Sequence, residues 1–276
     1  MKRIGLILVI LCGAVLLYAT KDFPAWGDPA SPASTHLSPH YIQHALEETE
    51  VSNLVTAVLA DYRGYDTMFE TVVIFAAGLA CFLLLRSFLA RKEEGWYVRH
   101  IPSGVIIHFR KRPPVLPHSG AFERLDTQWV PHDLIIKTLC RILIPFIQLF
   151  SLYVVFHGDF SPGGGFQGGV MFGAALVLMA ISFDLRTALS RVGEKFLALL
   201  AASGVIVYGG IGVLCMLLGG EFLDYGKLAT ILPVHAEEAR ALGMIGVEFG
   251  VGMAVTAVMV VIYVNIASAG RHDEGL

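Results

Sequence analysis

Six apolar stretches, at about 4–19, 67–89, 134–156, 165–183, 196–218 and 242–267, dominate the chain. The hydrocarbon core of a bilayer is about 30 Å thick and takes roughly 20 apolar residues per helical crossing. In hydrocarbon only helices and closed barrels satisfy every backbone N–H and C=O. Continuous runs of this length predict helices. The expected fold class is all-α: a polytopic membrane protein with about six transmembrane helices. Composition agrees, because only 16% of the 276 residues are charged, against roughly 25% in ordinary soluble domains. The first run follows Met1, Lys2 and Arg3 in the manner of a signal peptide. Its exit, Leu17-Tyr18-Ala19-Thr20-Lys21, has no clean small-x-small cleavage site, so it is read as an uncleaved signal anchor.

Lys and Arg are divided unevenly between the segments. Lys2, Arg3, Arg86, Arg91, Lys92, Arg99, Arg110, Lys111, Arg112, Arg124, Arg186, Arg191, Lys195 and Arg271 fall on one side of a six-helix path. Lys137 and Arg141 lie within snorkelling reach of that side. Only Lys21, Arg63, Lys227 and Arg240 map to the other. The positive-inside rule then predicts that both termini are cytoplasmic. An odd number of crossings would break this alternation.

The crossings group as two plus four. Residues 1–92 form the expected first piece, 93–130 a basic cytoplasmic linker, and 131–270 a four-helix domain. Within the first piece the outer connection carries Pro24, Pro29, Pro32 and Pro39 and reads as an irregular loop. A short helix is expected at 40–59, where Leu46, Val51, Leu54, Val55 and Leu59 are spaced mostly at helical intervals. In the linker a short strand is expected at 105–109. The four cysteines, Cys12, Cys81, Cys140 and Cys215, sit inside apolar runs and read as small buried hydrophobes.

The most distinctive segment joins the third and fourth runs: His157-Gly158-Asp159-Phe160-Ser161-Pro162-Gly163-Gly164-Gly165-Phe166-Gln167-Gly168-Gly169. Two readings stand. One is a tight turn leading into a packing face, since Gly165, Gly169 and Gly173 recur every four residues. The other is a broken helix start whose exposed backbone groups, with His157 and Gln167, line an ion path. A nucleotide-binding loop is not expected, because G-K-[ST] is absent.

Ionisable residues inside the runs are the second signal. Glu248 lies some six residues into the sixth run, roughly 9 Å along its axis. A charge there is expensive and must be paired, hydrated or protonated. It reads either as an interfacial carboxylate or as a proton or cation relay. Glu70 follows Asp66 and Thr67 with the spacing of a helix N-terminal cap, and that structural role stands beside proton transfer as its reading. Lys137 and Arg141 share a helix face; they read either as part of an inner half-channel for ions or, by default, as side chains snorkelling to phosphates. The fifth run carries no charge, and Gly204, Gly209, Gly210 and Gly212 predict that it packs tightly. His36, His40 and His44 would align on a helix, but Pro39 interrupts them. No metal site, cofactor, catalytic group or nucleic-acid surface is expected.

The segment 131–270 resembles the MnhB family, the B-type subunits of Mrp-type cation/proton antiporters. The resemblance rests on His157-Gly158 and Ser161 to Gly169, with Pro162, Gly163, Gly164, Gly165, Phe166, Gly168 and Gly169 as its motif. It continues in Asp184-Leu185-Arg186-Thr187 and in Gly246-Val247-Glu248-Phe249-Gly250-Val251-Gly252. The first piece resembles the C-terminal two-helix end of the large A-type antiporter protein, which is a separate small protein (MbhE-like) in membrane-bound hydrogenases. Its carrying residues are Asn53 to Leu59, then Asp61, Arg63, Gly64, Asp66, Thr67 and Glu70. The resemblance implies an accessory component, not itself an enzyme, of a bacterial or archaeal cytoplasmic-membrane complex that exchanges Na+ and H+. Its implied partners are large antiporter-like subunits and small subunits resembling C, E, F and G, besides membrane lipid. Glu70 and Glu248 stand at positions where those families carry acids. The alternative is the equivalent component of a redox-coupled complex such as a membrane-bound hydrogenase. A self-contained channel or carrier is a third class, unsupported by any inverted repeat.

Overall fold

The computed structural model describes residues 2–88, 96–103, 105–109, 121–125, 134–183 and 185–268. Arg91, Lys92, Arg110, Lys111, Arg112 and Arg271 of the charge pattern, and Asp184, lie outside the described residues. The chain divides into two units, Met1–Ala45 and Leu46–Leu276.

The first unit holds α1 (Lys2–Ala19), a π-type turn (Ala33–Leu37) and most of α2 (Ser38–Thr49). Pro39 follows the π-type turn directly, at the second residue of α2, and the helical backbone continues through it. It therefore does not interrupt the helix as the sequence suggested, and the His40 and His44 rings approach to 5.0 Å. Among the described residues no group of three His, Cys, Asp or Glu is placed to hold a metal ion.

The second unit contains the remaining helices. The single helix expected at 40–59 is broken at Glu50, whose φ of 56° is left-handed and ends α2. Asn53 then caps α3 (Leu54–Thr56), which runs into a π-type turn at Ala57–Tyr62. α4 (Gly64–Phe88) follows a break at Arg63. It starts earlier than a cap at Asp66 or Thr67 allows, so both lie in its first turn. Asp66 pairs with Arg63 there, and the Thr67 hydroxyl donates to the Leu59 carbonyl at 2.7 Å.

Between the two helical pieces the described residues include three antiparallel strands, β1 (Trp96–His100), β2 (Ile106–Phe109) and β3 (Phe122–Leu125), in the order β2-β1-β3. The expected strand is β2, and β1 and β3 qualify the all-α reading. Short alternating strands carry little hydrophobic signal beside the membrane runs.

Among the described residues five α-helices follow, α5 (Leu134–Phe156), α6 (Gly165–Ser182), α7 (Leu185–Arg191), α8 (Glu194–Leu217) and α9 (Ala236–Ala267), with a 3-10 turn at Tyr225–Thr230 before the last. Among the described residues, six helices are long and apolar enough to cross a membrane: α1, α4, α5, α6, α8 and α9. α9 is the centre of the second unit and packs on α4, α6 and α8. It begins earlier than hydropathy alone predicts because His235 and Glu238 form a capping box. Small residues let its backbone come close. A Cβ at Gly169 would stand 2.8 Å from the Gly252 carbonyl oxygen, and the Thr256 hydroxyl donates to the Gly169 carbonyl at 2.9 Å. In α8 Gly204 abuts Gly250 and Ala254, and Gly212 abuts Phe222. Gly209 and Gly210 face open space, so only two of the four glycines expected to pack do so.

Candidate functional site

Pro162 and Gly163 end the connection from α5, and Gly163 has φ +137°, a conformation that glycine permits. α6 starts at Gly165 with no side-chain cap on Gly164. The turn is shaped by what it surrounds. Glu248 of α9 enters the space left by missing side chains: a Cβ at Gly158 or at Gly164 would stand 2.6 Å from one of its carboxyl oxygens. A Cβ at Gly165 would overlap the main-chain oxygen of Glu248. Thr56 and the Gly165 backbone also lie against the carboxyl. Measured from Ala236, Glu248 is roughly 18 Å along α9 rather than 9 Å, because the helix begins earlier.

The same turn is tied to the first helical piece by Asn53. Its main-chain N–H donates to the Asp159 carbonyl at 3.0 Å. Its Nδ2 reaches the carbonyls of Gly158 and Ser161 at 2.8 Å and that of Gly163 at 3.3 Å. The Thr56 hydroxyl donates to the Gly158 carbonyl at 2.6 Å. Neither Asn53 nor Thr56 stands out as a site residue in the sequence. The available signal was the Asn53-Leu54-Val55-Thr56 segment itself, but nothing in spacing shows that an amide at 53 meets carbonyls a hundred residues on.

A second set of contacts fixes the break before α4. Arg240 grips Asp61 through two bonds, Nε to Oδ2 at 2.9 Å and a terminal nitrogen to Oδ1 at 3.0 Å. The Tyr225 hydroxyl donates to the Ala60 carbonyl and the Tyr208 hydroxyl to the Gly64 carbonyl, both at 2.9 Å. These tyrosines are fully buried. Tyr62 donates to the Glu48 carboxylate. Burial, then Glu48, pushes the Tyr62 phenol above its ordinary range, and burial, then Tyr208, does the same to Tyr225. Beside the Asp61–Arg240 pair lies an open cleft of about 410 Å³, lined by Glu47, Glu48, Asp224, Lys227, Glu237 and Arg240.

The other candidates are placed apart from Glu248. His157 is exposed and stacks on Tyr153, with ring centroids 4.1 Å apart. Gln167 and Phe166 are exposed on α6, and Glu70 is exposed on α4. Glu70 and Glu248 nevertheless both act electrostatically on Tyr208. Lys137 lies at the far end of α5 from the turn, its ammonium 5.5 Å from the Phe183 ring centre. Phe183 also faces Arg141, at 5.9 Å.

Comparison with known proteins follows the same division. Residues 135–261 match the family described as a domain related to the MnhB subunit of Na+/H+ antiporters. Residues 3–95 match the MbhE family, described as the E subunit of MBH. The Staphylococcus aureus putative antiporter subunit mnhB2 is 30% identical over 146 residues, which are 51% of this chain and 97% of that protein. An uncharacterised protein of Methanocaldococcus jannaschii is 29% identical over 82% of this chain and 81% of its own length. Two solved structures share the fold. One is a chain of the membrane-bound sulfane sulfur reductase, an archaeal respiratory membrane complex, with TM-score 0.59 and 24% identity, covering 96% of this chain and 97% of that one. The other is a chain of the Mrp complex from Dietzia sp. DQ12-45-1b, with TM-score 0.58 and 23% identity, covering 99% of this chain but 26% of that one.

Proposed function

Since this chain belongs to the MnhB family of antiporter-related membrane subunits, we propose that it is an accessory component of an Mrp-type cation/H+ antiporter complex and contributes Glu248 to the ion path. The observation that carries this reading is the placement of Glu248. A carboxyl on a transmembrane helix is costly unless compensated, and here a glycine turn is built around it. The acid-lined cleft at the N-terminal end of α9 offers cations an approach to the same helix. Residues 1–92 and 131–270 are two modules that meet at Asn53 and Arg240, with 93–130 as their linker. The charge pattern assigns both termini to the cytoplasmic side, and the family resemblance assigns the membrane to a bacterial or archaeal cell. Glu70, exposed on α4, is assigned to a surface completed by a partner subunit, because a bare carboxylate facing lipid is unfavourable.

A redox-coupled complex is the second reading. The match of residues 3–95 to the MbhE family, and an end-to-end fold likeness to a chain of a respiratory complex, favour it. Purification in mild detergent separates the two. Co-purifying large antiporter-like subunits without redox-centre proteins support the antiporter. Co-purifying Fe–S or nickel proteins support the redox complex. A lone, stable monomer contradicts both.

A further inference from the structure

Glu248 and Asp159 bring two carboxyls to one turn. Asp159 stands in the turn next to Gly158, whose Cβ position abuts the Glu248 carboxyl, and its Oδ1 is buried without a hydrogen-bond partner among the described residues. From α8, Tyr208 is a further titratable group in electrostatic reach of Glu248. Like charges away from bulk water favour uptake of a positive charge, either a proton or a metal cation. The oxygens around the site decide which.

Hard cations are held by shells of about six oxygens. Four good candidates lie here, the carbonyls of Gly158, Ser161 and Gly163 in the turn and the hydroxyl of Thr56 from α3. All four converge on one atom, the Asn53 Nδ2, at 2.8, 2.8, 3.3 and 3.0 Å. The amide is fixed in this sense because its Oδ1 accepts the Val55 N–H at 3.1 Å, which leaves the NH2 to face the carbonyls. The position a cation would take among these oxygens is filled by an uncharged donor.

We propose that Asn53 is a specificity-determining residue: it occupies the oxygen cage, denies metal cations a coordination shell beside Glu248, and leaves that carboxyl to carry a proton. The proposal rests on the reading that Glu248 belongs to the ion path.

The test uses the assembled complex in membranes, with Na+ as the probe and choline replacing it at constant ionic strength. Infrared difference spectra follow the carboxyl band that disappears in Glu248→Gln as pH is varied. In the native complex the band titrates at the same pH in Na+ and in choline. In Asn53→Ser, which keeps a helix-capping oxygen but empties the cage, Na+ competes with the proton. The titration then moves to lower pH by about one unit, a tenfold competition. A native titration that moves with Na+ overturns the proposal whether or not the variant assembles. An assembled Asn53→Ser complex indifferent to Na+ overturns it as well. Exchange that survives Glu248→Gln strikes instead at the ion-path reading beneath it.

Discussion

A methyl group at Gly165 has no room, since the Glu248 main-chain carbonyl occupies its place. Gly165→Ala is expected to destabilise the protein by about 1–3 kcal/mol through forced backbone displacement. Gly209→Ala is the matched control: nothing lies within 4 Å of that Cβ, and alanine in a helix interior gains about 0.5–1 kcal/mol over glycine. Thermal scans of the purified assembly should place the two variants on opposite sides of the native protein. At this scale the site was half legible in the sequence. The glycine run and Glu248 each stood out, one by composition and the other by a charge in an apolar run. Their meeting did not, because a turn at 158–165 and a residue at 248 are joined only by packing. Asn53 was still less visible, as one polar residue in a short segment whose partners are backbone carbonyls.

The break before α4 is an element-scale device. The carbonyls of Gly64, Ala60 and Leu59 accept from Tyr208, Tyr225 and Thr67, and Asp61 is held by Arg240. Asp61 is 9% exposed and Arg240 34%, so the pair lies between surface and buried ion pairs. A double-mutant cycle with Asp61→Asn and Arg240→Gln is expected to give a coupling of about 1–3 kcal/mol. No coupling would mean that the break is held by the tyrosine and threonine hydroxyls without the ion pair. Alkali tests the phenols. Tyr62 and Tyr225 are held above the ordinary tyrosine value. Above about pH 10 the unfolded chain has therefore lost protons that the folded chain retains, and stability falls as pH rises. Tyr62→Phe should flatten that alkaline decline, which ultraviolet titration and thermal scans read together. The long helices were legible from hydropathy because lipid imposes their length. Their ends were not: α2 stops at Glu50 and α9 starts at Ala236 for reasons of local backbone and capping.

Across the whole molecule, two family modules share one chain, and the second unit gathers residues of both around α9. The antiparallel sheet between the modules was scarcely legible, since its few short strands sit in a basic, proline-bearing stretch that reads as linker. Many large apolar side chains of α4 and α5, such as Val73, Leu84, Ile135 and Phe146, remain exposed on the chain. That is the expected surface of a protein covered by lipid and neighbouring subunits. At the centre of the proposed function stands Glu248, a proton-carrying group held by the turn. Cation/H+ exchange by the assembled complex in membrane vesicles, with Glu248→Gln, tests this role most directly. Native assembly with exchange lowered on the order of 100-fold is the predicted result. Exchange at the native rate in that variant would contradict it.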